Sequence, residues 1–74
     1  MSPEKMVTMA NQIATFFASQ PGDDQALRTA AHINDFWDPR MRRHLLDHLA
    51  AGGEGLKPLV REAQPHIAAP AATA

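Results

Sequence analysis

Apolar side chains recur along this chain every three or four residues and never alternate by twos, which is the period of helices and not of strands. The first such run opens at Ser2-Pro3. Serine can cap free backbone N–H groups, and proline at the first helical position gives up an N–H that would be unpaired anyway. The spacing predicts a helix from there to about Ser19. On a helical wheel Met6, Met9, Ile13, Phe16 and Phe17 lie together, and Val7, Ala10, Ala14 and Ala18 form a second strip of smaller residues beside them. The combined arc is on the order of 200°, wider than the roughly 100° stripe a surface helix needs for its own core. One strip is expected to face the fold and the other a partner.

Gln20-Pro21-Gly22 interrupts the pattern, and Asp23-Asp24 follows as an N-cap with negative charge at the positive end of the next helix dipole. A second helix is predicted to about Trp37, burying Ala26, Leu27, Ala30, Ile33, Phe36 and Trp37 and turning Arg28, His32 and Asp35 to solvent. Asp38-Pro39 repeats the start signal for a third helix to about Ala51, with Phe36-Trp37 placed to clamp the corner between the two. Gly52-Gly53 stop that helix, because glycine takes the left-handed conformation of a helix terminus at little steric cost. Leu56 to Ala63 reads as one or two turns of a fourth helix, with Leu56, Leu59, Val60 and Ala63 apolar. The fold class is therefore all-α: a small bundle of three helices plus a short fourth. Residues 1–63 form a single helical domain, and the Ala/Pro-rich residues 64–74 are expected to be a flexible tail, unable to form a core.

Length narrows the possibilities. A chain of 74 residues buries only about 60% of the surface exposed by its unfolded form. Hydrophobic residues make up 45% of it, but fourteen are alanines with little volume to fill a core. Scaffolds of this size usually need a disulfide, a metal or a partner, and the absence of cysteine removes the first and any Cys-based zinc site. A partner is the leading remedy. The net charge of −1 gives no general pull toward nucleic acid or anionic lipid. Neither a 7-residue apolar run of the signal-peptide kind nor a span of roughly 18 apolar residues is found, so a cytoplasmic location is expected.

The densest polar feature is Trp37-Asp38-Pro39-Arg40-Met41-Arg42-Arg43-His44. Three arginines in the first turns of a helix oppose its dipole, at roughly 0.3–1 kcal/mol each when exposed. Arg43 has Asp47 one turn on and can pair with it on a solvated face. Arg42 falls inside an apolar arc with Met41, Leu45, Leu46 and Leu49, where a guanidinium must snorkel, pair within the chain, or meet a partner's carboxylate. The partner-facing reading takes Trp37, Arg40, Met41, Arg42, Arg43 and Phe17 as the contact set, although Trp37 suits the core better than the interface. His44 and His48 stand four apart without a defensible third metal ligand. No nucleophile is paired with a base, and Gly52-Gly53-Glu54-Gly55 follows a helix and not a strand, so it is a helix stop and not a phosphate loop. Nothing in the chain constitutes a catalytic, cofactor or metal site.

These strings resemble the delta subunit family of cytoplasmic NAD-dependent, molybdenum- or tungsten-containing formate dehydrogenases. The likeness runs through Ser2-Pro3-Glu4-Lys5, Met9-Ala10-Asn11-Gln12-Ile13, Phe16-Phe17, and above all Phe36-Trp37-Asp38-Pro39-Arg40-Met41-Arg42-Arg43. It continues through Leu45-Leu46, Gly52-Gly53 and Gly55-Leu56 to Pro58-Leu59-Val60, covering about residues 2–63. The resemblance implies a non-catalytic accessory subunit whose main partner is the alpha subunit, within a complex that also has beta and gamma subunits. The bis-molybdopterin guanine dinucleotide, iron–sulfur clusters, FMN and NAD site would belong to those partners. Stabilising the alpha subunit and helping it mature are both compatible with the residues. Alternatives are a transient chaperone using the arginines on cofactor phosphates or on apo-enzyme, and a small nucleic-acid-binding module, against which stand the net charge and the few aromatics.

Overall fold

A computed structural model describes residues 2–70. Four α-helices follow in order: α1 (Pro3–Ala18), α2 (Gln25–Phe36), α3 (Pro39–Ala50) and α4 (Pro58–Ala63), and a single 3₁₀ turn, Gln64–His66, continues from the last. No strand occurs among the described residues, so the fold is all-α as expected. Two of the starts are capped as the sequence predicts. Ser2 Oγ accepts a hydrogen bond from the Lys5 backbone N–H at 3.2 Å, and Asp38 Oδ1 accepts from that of Met41 at 2.8 Å. Asp24 differs. It stands at the N-cap of α2 with φ −110° and ψ 24°, outside the extended region of a capping residue, and makes no side-chain cap bond; its carboxylate pairs instead with Arg28 Nε at 3.1 Å one turn along.

The end of α3 is a Schellman arrangement, in which the Gly53 N–H donates to His48 O and the Gly52 N–H to Leu49 O. Gly52 has φ +120° and Gly53 φ +65°. The loop that follows is tied down by three side chains. Arg61 spreads its guanidinium over Gly52 O and Gly53 O at 2.8 and 2.9 Å. Asn11 of α1 donates to Gly55 O and accepts from the Lys57 N–H, both at 2.9 Å, and the His48 Nε2 to Glu54 O distance is 2.7 Å.

α2 packs against α1, α4 and the 3₁₀ turn, while α3 rests on α1. The core joins Met6, Ala10 and Ala14 of α1 to Ala30 and Ile33 of α2, Leu45 and Leu49 of α3, and Leu56, Val60 and Ala63 around α4. On α1 the inward line thus takes Met6 from the strip of larger residues and Ala10 and Ala14 from the strip of smaller ones, whose Val7 is half-buried and Ala18 exposed. Of the rest of the larger strip, Met9, Ile13 and Phe17 are half-buried and Phe16 is exposed.

Three expectations are corrected. Leu27 and Phe36, assigned to the buried face of α2, are 53% and 74% exposed. The buried arc of that helix is narrower and centres on Thr29, Ala30 and Ile33, leaving Leu27 and Phe36 on its two opposite flanks. Thr29 was unforeseen there, and its hydroxyl is satisfied by Gln25 O at 2.8 Å. The second correction is the chain beyond residue 63. Ile67 joins the core at 6% exposure, and Asn34 of α2 clasps the same segment, donating to His66 O at 3.1 Å and accepting from the Ala68 N–H at 2.8 Å. One buried isoleucine with a paired backbone suffices to order a segment that composition marks as a tail. The tail reading for residues 71–74 lies outside the described residues. Third, the Arg43–Asp47 pair is not formed, Arg28–Asp24 being the one ion pair among the described residues.

Candidate partner-binding surface

The arginine corner is built by the cap at Asp38, whose extended backbone (φ −70°, ψ 166°) turns the chain from α2 into α3. Trp37 closes α2, its N–H donating to Ile33 O at 2.9 Å, and its side chain is in the core at 5% exposure. Arg42 is half-buried and faces inward. Its Nη1 donates to Trp37 O at 2.9 Å and its Nε to Ala68 O at 3.1 Å, so one guanidinium ties the α2–α3 corner to the strap after α4. Of the three possibilities open to this arginine, the structure uses pairing within the chain, with backbone carbonyls as the acceptors. Met41 is half-buried beside Met6 and His44 in a depression of about 230 Å³.

Arg40 and Arg43 are exposed, with no acidic side chain within ion-pair distance among the described residues. The contact set read from the sequence therefore divides: Trp37, Met41 and Arg42 serve the corner from within, whereas Arg40 and Arg43 project from it.

Phe17 belongs to a different feature. Its ring meets Phe16 edge-on at 5.0 Å between centroids, and His32 at 6.0 Å. His32 in turn lies 4.6 Å from Phe36, tilted by 33°. Four rings thus form a row from the end of α1 across α2, and Phe36, 74% exposed, is its outer end. The row leads to the arginine corner, since Trp37 follows Phe36 directly. Of this row, sequence reasoning put only Phe17 in the contact set, with Phe16 beside it on the same strip, and assigned Phe36 to the core and His32 to solvent. The clue available was the excess width of the apolar arc on the first helix, which could not be closed by its own fold.

A roomier depression, about 400 Å³, lies between Ala14, Ala18, Gln25 and Leu59 with Lys57 and Glu62 at its edge. The Thr15 hydroxyl at its wall donates to Asn11 O at 2.8 Å. Among the described residues no three His, Asp or Glu side chains come together as a metal site, and no helix is long and apolar enough to cross a membrane.

The sequence pattern of the NADH-dependent formate dehydrogenase delta subunit family, FdsD, matches residues 5–64. The chain belongs to that family. The matched segment takes in all four helices except the first two residues of α1, and with them the ring row and the arginine corner. The clasped strap at Ile67 and Ala68 falls beyond the part that matches the delta subunit family. No curated protein is similar enough to the chain to count as a match.

Proposed function

We propose that the chain is a non-catalytic accessory subunit that docks on the large alpha subunit of a cytoplasmic NAD-dependent formate dehydrogenase, stabilising it or assisting its maturation. Membership of the delta subunit family is the observation that carries this reading. Exposed aromatic rings on a domain of 74 residues support it, because a small fold that leaves Phe16 and Phe36 in water gains by covering them. Molybdopterin, iron–sulfur, FMN and NAD chemistry would then be the work of the alpha, beta and gamma partners. Arg40, Arg43 and Phe17 are the residues of the contact set that this docking would use directly. Trp37, Met41 and Arg42 would hold the corner in shape behind them.

The test is recovery of the tagged chain from its native cytoplasm, with partners identified by mass spectrometry and assayed for formate-dependent reduction of NAD. Stoichiometric recovery of an active complex is expected for a resident subunit. Recovery of apo-alpha subunit alone would assign the maturation role, and recovery of neither would remove the docking function.

A further inference from the structure

We propose that the ring row Phe16–Phe17–His32–Phe36 is the docking face itself and that its occupant is an amphipathic helix of a larger subunit, with carboxylates flanking its apolar stripe at the Phe36 end. The inference rests on the subunit reading above and names the surface and the kind of element it takes. Three observations lead to it. Successive ring centroids lie 5.0, 6.0 and 4.6 Å apart, within the ordinary contact range of aromatic pairs, so the four rings form one continuous apolar surface from α1 to α2 with Phe16 and Phe36 exposed on it. The depression beside it, lined by Gln12, Ile13, Phe16, Phe17 and His32, has a volume of about 260 Å³. That falls short of the roughly 300–1,000 Å³ of small-molecule sites and suits one or two inserted side chains. Helix-in-groove recognition places its anchors in this way.

Charge fixes the sense of the partner. Arg40 and Arg43, beyond Phe36 in the chain and one turn apart on α3, are exposed and without an acidic neighbour at ion-pair distance among the described residues. Arg28, by contrast, is neutralised by Asp24. Asp35, directly before Phe36, is also exposed, so the two unpaired arginines outweigh one carboxylate at the corner end of the row. A helix carrying Asp or Glu at that end gains both the apolar burial and the pairing, and arginine with aromatic anchors is the combination enriched at interface centres.

The test uses the full chain, tagged and co-expressed with the other subunits of its formate dehydrogenase. Phe16→Ser with Phe36→Ser is compared with Leu27→Ser, which removes a similarly exposed side chain from the opposite flank of α2. A benzophenone amino acid replacing Phe36, or Leu27, reports what each position touches. Retention of the complex should fall at least about tenfold for the double variant and stay at the wild-type level for Leu27→Ser, both proteins keeping wild-type circular dichroism. Position 36 should cross-link to a helical, acidic segment of one larger subunit. Arg40→Glu with Arg43→Glu should weaken capture at low salt, and the difference should shrink as salt screens it. Wild-type retention by the double variant, a cross-link joining two copies of this chain, or a subunit cross-link from position 27 alone would each overturn the assignment. If the wild-type chain captures no formate dehydrogenase subunit, the subunit reading fails first and takes this one with it. Should the double variant unfold, the cross-link from position 36 in the otherwise native chain decides.

Discussion

Replacing Arg42 with alanine deprives two backbone carbonyls, Trp37 O and Ala68 O, of their donor at once. Hydrogen bonds from a charged group contribute about 1.5–3 kcal/mol where they are buried. Since Arg42 is half-buried, Arg42→Ala should cost about 1–2 kcal/mol, read as a lower urea midpoint of the isolated chain with an unchanged slope. Arg42→Lys should recover little, because an ammonium is a point donor and cannot span both carbonyls as the planar fork does. Full stability in the alanine variant would return this arginine to the partner-facing role that its sequence position also allows. Asn34 offers a parallel case. Its amide donates to His66 O and accepts from the Ala68 N–H, so Asn34→Asp keeps the acceptor but sets a carboxylate against a carbonyl. A loss of about 1–3 kcal/mol is expected from that unmet acceptor, with the melting temperature as the measurement.

At the scale of the helices, termini were more legible than faces. Ser2-Pro3, Asp38-Pro39 and Gly52-Gly53 act through bonds within a few residues, so their meaning does not depend on what packs where. Gly52 sharpens this point. Its φ of +120° is closed to side-chain-bearing residues, yet a Cβ there would meet no atom within 4 Å. Gly52→Ala and Gly52→Val should therefore both lower stability by about 1–3 kcal/mol through backbone strain, which is roughly 4–8 °C in melting temperature per kcal/mol for a domain of this size. A harmless alanine would show that the end of α3 is not held as described. The faces fared worse at Leu27 and Phe36. A wheel orders residues around an axis but cannot say how wide the buried arc is, and α2, packed against α1 and α4, buries only a strip centred on Thr29, Ala30 and Ile33.

For the molecule as a whole, the strap after α4 is the clearest test of how the fold is completed. A chain ending after residue 68 should melt like the full chain, whereas one ending after residue 63 loses Ile67 from the core and both clasps on the strap. Burying an isoleucine contributes about 1.5–3 kcal/mol, so the shorter chain should melt at least about 6 °C lower. Equal melting would show that the domain ends where composition changes. The sequence by itself determined the all-α class, the helix starts and stops, and the family, because each is written in local spacing or in a contiguous string. Tertiary structure alone decided that Arg42 faces inward, that Ile67 completes the core and that Phe16, Phe17, His32 and Phe36 meet in one row. Each of these joins residues distant along the chain, and the energy that selects them, burial of apolar surface and satisfaction of backbone carbonyls, exists only once the helices have packed.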